Sequence, residues 1–247
     1  MMKKIFTALV LGILLCSCGY KELDRKEKFK LLYEAEILQK KDAREKLNKI
    51  YKNLYKYVSK NDKKALEEKQ EYDNISYYLK DTELKYKGLL PGWGYLSDDE
   101  VSYPPLKEVM SKDNIVSAQF RLYSENNDIY DYITKKPYTG IAIFRYGTGE
   151  IDEVAILENG KIKNTIQKNK LNRNYKLIQE EFFEKDNRNL VCYKKYTPFG
   201  DLKEELYILE RYQDGNIKKD YIRYNGNDKG KLREYNSKRK IIKVEEI

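Results

Sequence analysis

Three patterns of apolar spacing divide the chain. Met1-Met2-Lys3-Lys4 is followed by an uncharged, mainly apolar run from Ile5 to Leu15. From Lys21 to Lys87 the apolar residues recur at intervals of three and four, with Phe29, Tyr33 and Ile37 at i, i+4 and i+8. Leu47, Ile50, Tyr51, Leu54 and Val58 resume the stripe, and Leu66, Tyr72, Ile75, Leu79 and Tyr86 continue it. That spacing puts the apolar residues on one helix face. From Tyr138 onward the residues alternate instead, Ile141, Ile143 and Arg145 against Ala142, Phe144 and Tyr146. Alternation is the periodicity of a half-buried strand.

The helical stretch contains no Pro, no Gly before Gly88, and many Lys, Glu and Leu, which are good helix formers. Ser59-Lys60-Asn61-Asp62 breaks it, with Asn61 or Asp62 as the next helix's N-cap. The pattern predicts two helices joined as an antiparallel hairpin. Its stripes admit two readings, a hairpin that buries its own faces or a coiled coil that recruits a partner. The heptads are few and irregular, which favours the first. Gly88 through Pro105 holds three of the five Pro and the only Trp, and marks a linker. There Trp93 either plugs the junction or contacts a ligand. Asp98-Asp99-Glu100 is either a solvated loop or a cation site.

In the C-terminal half a short unit recurs: an aromatic, a turn with Gly or Asn, then Ile or Leu, then charges. Copies run through Arg145–Glu153, Leu157–Lys163, Tyr196–Lys203, Tyr212–Lys218 and Tyr224–Arg233. Degenerate copies surround Asp186-Asn187 and Asn236-Ser237. Asn-Gly and Asp-Gly accept the positive φ that two-residue hairpin turns demand. Gly140, Gly149, Gly160, Gly200, Gly215 and Gly230 are the expected turn glycines. The unit predicts a meander of about eight to ten antiparallel strands, stable through stacking of its hairpins.

Pro137-Tyr138-Thr139-Gly140, then Tyr146, Gly149 and Glu158-Asn159-Gly160-Lys161, resemble the opening of a MORN-variant array of the YwqK type. Asn127-Asp128-Ile129-Tyr130 resembles the strand that precedes such arrays. The likeness covers about residues 115 to 246. It implies a MORN-like architecture and says little about activity. Some members of that class are labelled antitoxins, others envelope lipoproteins.

The N-terminus has a basic start, an apolar core and small exit residues, the layout of a secretory signal. Its core would rise about 16 Å as a helix, too short for a bilayer interior of about 30 Å. Leu15-Cys16-Ser17-Cys18 resembles a lipobox. The resemblance implies cleavage before Cys18 and acylation of that Cys. Acyl chains anchor firmly, at about 0.8 kcal/mol per buried methylene. Gly19 lacks the Asp that resembles an inner-membrane retention signal.

Composition narrows the chemistry. There is no His, which removes the Ser-His-Asp triad, the Cys-His pair and the His-based zinc motifs. Three Cys, two near the start, exclude a disulfide scaffold. Cys192 is then the one thiol left, either an apolar filler or an intermolecular disulfide partner. No phosphate loop, metal spacing or nucleophile elbow occurs, and acids such as Glu204-Glu205 point to opposite strand faces. The sequence therefore predicts no enzyme and no cofactor.

Charge adds a candidate face. The net charge is +9, and Lys229, Lys231, Arg233, Lys238, Arg239, Lys240 and Lys243 crowd the last strands. Tyr224, Lys231, Arg233, Tyr235 and Arg239 form a candidate surface for an anionic polymer, unless they are a merely solvated face. Export argues against nucleic acid as the ligand. The tyrosines Tyr196, Tyr207, Tyr212, Tyr221, Tyr224 and Tyr235 either line a carbohydrate face or pair across strands.

The expected protein is α+β: a signal at 1–17, a helical hairpin at 18–87, a linker at 88–114 and a repeat β-sheet at 115–247. It is anchored to the cell or outer membrane through Cys18, outside the cytoplasm. The expected role is a non-catalytic binding or scaffolding module for a protein or an anionic envelope polymer. The alternative is an antitoxin-like inhibitor of one effector protein. Oligomeric state is left open.

Overall fold

The computed structural model describes residues 22–88, 96–111, 114–174, 176–187, 189–227 and 229–247. The chain divides into two compact units, residues 1–81 and 82–247. Cys18 and Trp93 lie outside the described residues.

The first unit is helical. Asp24 caps α1 (Arg25–Leu32) by accepting from the Glu27 N–H at 2.8 Å. A π-helical turn, Tyr33–Ile37, follows, and Gln39 at φ +54 stops it. Helix α2 (Lys41–Val58) then starts afresh, so the first of the two expected helices is two. No Pro or Gly announces that break; the left-handed Gln39 makes it. Asn61 at φ +57 closes the next turn, and Asp62 caps α3 (Lys63–Lys87) through the Ala65 N–H.

Phe29, Leu32, Tyr33, Ile37, Leu47 and Leu54 are buried, as are Ala65, Tyr72, Ile75 and Leu79. Tyr51 contacts Tyr72 at 5.7 Å, and Phe29 contacts Tyr78 at 6.3 Å. Leu66, placed by the sequence on the buried face, is exposed. Ala65 and Glu68 hold the inward positions instead, because 65, 68, 72, 75 and 79 keep the interval of three and four.

The second unit is a sheet with short helices at its start. The segment expected to be a linker belongs to it, with Leu96 and Val109 buried. Asp98–Glu100 is a 3-10 turn whose Glu100 carboxylate accepts from the Ser97 N–H and hydroxyl. Then come α4 (Leu106–Val109), β1 (Ile115–Ser117), α5 (Ala118–Arg121) and the hairpin β2 (Leu122–Glu125)–β3 (Asp128–Asp131). That hairpin is a separate two-stranded sheet.

The main sheet has ten strands in the order β1, then β4 through β12. Its members after β1 are β4 (Gly140–Arg145), β5 (Ile151–Glu158), β6 (Lys161–Leu171), β7 (Leu177–Phe183) and β8 (Leu190–Tyr196). They continue with β9 (Leu202–Arg211), β10 (Ile217–Tyr224), β11 (Lys231–Tyr235) and β12 (Ile241–Glu246). From β4 to β12 every neighbour is antiparallel, as the alternation predicts. Only β1 joins in parallel, beside β4.

The apolar core sits at the start of the sheet. Val116, Ala118, Leu122, Tyr138, Ala142, Ala155 and Leu157 pack together, flanked by Ile129 and Phe144. Arg121 grips Asp131 through Nε at 2.9 Å and Nη2 at 2.7 Å beside that core. Beyond β6 the burial thins, and β7 is half-buried along its whole length. There the sheet is held by cross-strand polar pairs.

Candidate binding face

Four of the repeated turns share one geometry. At Tyr146, Thr197, Tyr212 and Asn236 the N–H donates to the carbonyl four residues on, and the residue three on donates back. The residue donating back has positive φ: Gly149 at +88, Gly200 at +98, Gly215 at +83 and Arg239 at +60. This is a turn closed by a one-residue bulge. Asn126-Asn127, Asn159-Gly160 and Asn225-Gly226 form the second turn type, with both residues at positive φ.

Two expected turn glycines do another job. Gly140 begins β4, where a side chain would strike the Asn114 carbonyl and the Tyr138 hydroxyl. Gly230 exchanges backbone bonds with Ile247, and a side chain there would strike the Tyr221 ring. The turn into β11 is made by Asn225-Gly226, and both Gly140 and Gly230 are kept by close approach.

The tyrosines hold strands together. Tyr146 donates to the Asn169 carbonyl at 3.1 Å, and Tyr212 donates to the Tyr235 carbonyl at 2.6 Å. Tyr193 donates to Glu204 and Tyr196 to Glu180. The hydrogen bond from Tyr193 holds the Glu204 carboxyl below its usual range, with Lys195 at 3.1 Å assisting.

Each sheet face carries a buried carboxylate paired with an arginine. On one face Glu205 meets Arg223 beside Tyr207. On the other Asp220 accepts from Arg233 Nε at 2.8 Å, Arg233 Nη2 at 2.9 Å and the Tyr235 hydroxyl at 2.9 Å. Burial, then the bond to Asp220, pushes Tyr235 up to about 12. Arg233 is therefore neutralised within the fold.

The register gathers the expected surface onto that second face. Lys231 lies opposite Ile222 and Arg233 opposite Asp220, so Tyr224, Lys231, Arg233 and Tyr235 point the same way. Arg239 stands at the turn before β12, where its Nε donates to Asn216 Oδ1 at 2.7 Å. Beside it a recess of about 310 Å³ is lined by Arg211, Gly215, Asn216, Ile217, Tyr235 and Arg239. It contains two guanidinium groups, and no carboxylate is among those residues. Arg211 bonds to the Gly215 carbonyl at 2.7 Å and the Leu190 carbonyl at 2.6 Å. Sequence reading passed over Arg211 and Asn216. The repeated Arg-Tyr-x-x-Gly of 145–149 and 211–215 was the available signal.

Cys192 is buried, and burial pushes its thiol up, an environment that suits a packing residue. Asp98 pairs with Lys87 at 2.5 Å. Among the described residues no cluster of His, Cys, Asp or Glu is placed to hold a metal. Among them, too, no helix is long and apolar enough to cross a membrane.

No protein-family model matches this chain, and no curated protein matches it at significance.

Proposed function

We propose that this chain is a lipid-anchored envelope protein, held by an acylated Cys18, whose sheet is a non-catalytic module that binds an anionic polymer. The observation that carries the reading is the recess walled by Arg211 and Arg239 beside the Lys231–Tyr235 face. Anions gain most where cations converge without carboxylates between them. The recurrent bulged turns support a repeat array of the YwqK type.

Two measurements test it. Cys18→Ala moves the protein from the membrane fraction to the soluble fraction; unchanged fractionation removes the anchor. Dextran sulfate binds the wild-type chain at low salt and releases it at high salt. Arg211→Gln with Arg239→Gln lowers that affinity about tenfold while circular dichroism stays native. Binding that ignores both changes overturns the polymer reading. One protein cross-linked through high salt would favour a protein partner over the polymer.

A further inference from the structure

We infer that β12 is a self-complementary edge through which two copies of this chain pair, joining their sheets. Strand β12 ends the ten-stranded sheet, and among the described residues nothing pairs with its outer side. All six of its residues are exposed, including Ile241, Ile242 and Val244, and Ile247 after it is exposed too. The sheet's other end is the three-residue β1. A sheet edge with open backbone groups is a template for another strand.

The backbone fixes which groups are open. Gly230 and Ile247 exchange both hydrogen bonds, at 2.9 and 3.0 Å. In an antiparallel ladder such pairs alternate with non-bonded ones. With Leu232 opposite Glu245 and Glu234 opposite Lys243, residues 243, 245 and 247 turn their backbone groups inward to β11. Val244 and Glu246 turn theirs outward, and a bulge at Ile242, between the Glu234–Lys243 and Tyr235–Ile241 pairs, ends that run.

A second β12, antiparallel and centred on Val244, sets the outward backbone groups of the two Val244 residues against one another. Val244 bonds Val244 of the second copy. Lys243 then faces Glu245 of the second copy, twice by symmetry, in the non-bonded pairs where side chains are closest. Lys243 and Glu245 already bridge within the strand at 2.6 Å, so they lie on the same side.

The neighbouring symmetric registers fail. Centring on Lys243 sets Lys243 against its own copy, and centring on Glu245 sets Glu245 against its own copy. Centring on Ile242 falls on the bulged residue itself. A lysine in an edge strand ordinarily discourages pairing. Here it selects one register, because a glutamate waits two residues on. A contact of this size suits a weak, reversible dimer.

The test uses the full chain carrying Cys18→Ala in a non-ionic detergent, followed by sedimentation equilibrium and amide exchange. Dimerisation should rise with concentration and protect the Val244 amide. Lys243→Glu and Glu245→Lys should each weaken the dimer about tenfold. Mixing those two variants should restore it, because each then supplies the charge the other lacks. Val244→Pro removes an outward N–H, keeps the β11 ladder, and should give a folded monomer. A chain that stays monomeric up to about 1 mM, or a dimer indifferent to the charge variants, overturns the inference.

Discussion

Arg239 holds φ +60 at the position where Gly149, Gly200 and Gly215 stand in the sister turns. A side chain in that region costs about 1–2 kcal/mol. Arg239 recovers part of it through Asn216. Arg239→Gly is therefore expected to stabilise the sheet by about 0.5 kcal/mol, read from urea unfolding. Gly215→Ala should do the reverse, at about 1 kcal/mol, because nothing lies within 4 Å of the added carbon and the cost is conformational alone. Gly230→Ala should cost more, because the Tyr221 ring must move. Single residues were readable in the sequence where turn chemistry is local, as at Asn159-Gly160. They were not readable where a glycine answers to a distant ring, as Gly230 does.

At the scale of elements, the helical unit is built around a buried charge pair, Lys28 and Glu68. Lys28 is nearly enclosed, and its ammonium meets Glu68 and Glu71 on α3. Burial works to lower the Lys28 pKa, but the hydrogen bonds to Glu68 and Glu71 outweigh it and hold the group above its usual range. Removing one partner strands the other in a poorly solvated site. Lys28→Met should destabilise the unit by about 3–5 kcal/mol, and Lys28→Met with Glu68→Leu should recover most of that loss, followed by helical ellipticity in urea. Periodicity gave the helix faces here, yet it favoured Leu66 over Glu68. Hydrophobicity ranks residues one at a time, whereas Glu68 is inward because its helical angle and its partner on α1 place it there.

Across the whole molecule, 24 tyrosines carry much of the packing. Burial comes first in raising Tyr51, Tyr103 and Tyr235 to about 12. It also leads in raising Tyr86, Tyr138 and Tyr146 still further. A group whose folded pKa exceeds its unfolded value of about 10 contributes stability that is complete below that value. The contribution is lost as pH rises through the folded value. Unfolding free energy should therefore fall steeply above about pH 10, with tyrosinate absorbance rising together with loss of the sheet signal. Tyrosines ionising well before unfolding would contradict this.

The sequence by itself determined the order of helices then strands, the antiparallel meander and the placing of most hairpin turns. Those depend on spacing and on φ preferences, which are properties of neighbouring residues. Tertiary structure decided the break at Gln39, the docking of 96–111 onto the sheet unit and the parallel strand β1. It also decided that Arg233 is consumed by Asp220, while Arg211 and Arg239 line a recess. Each of those outcomes depends on groups far apart in the chain, and their pairing energies exist only once the register is set.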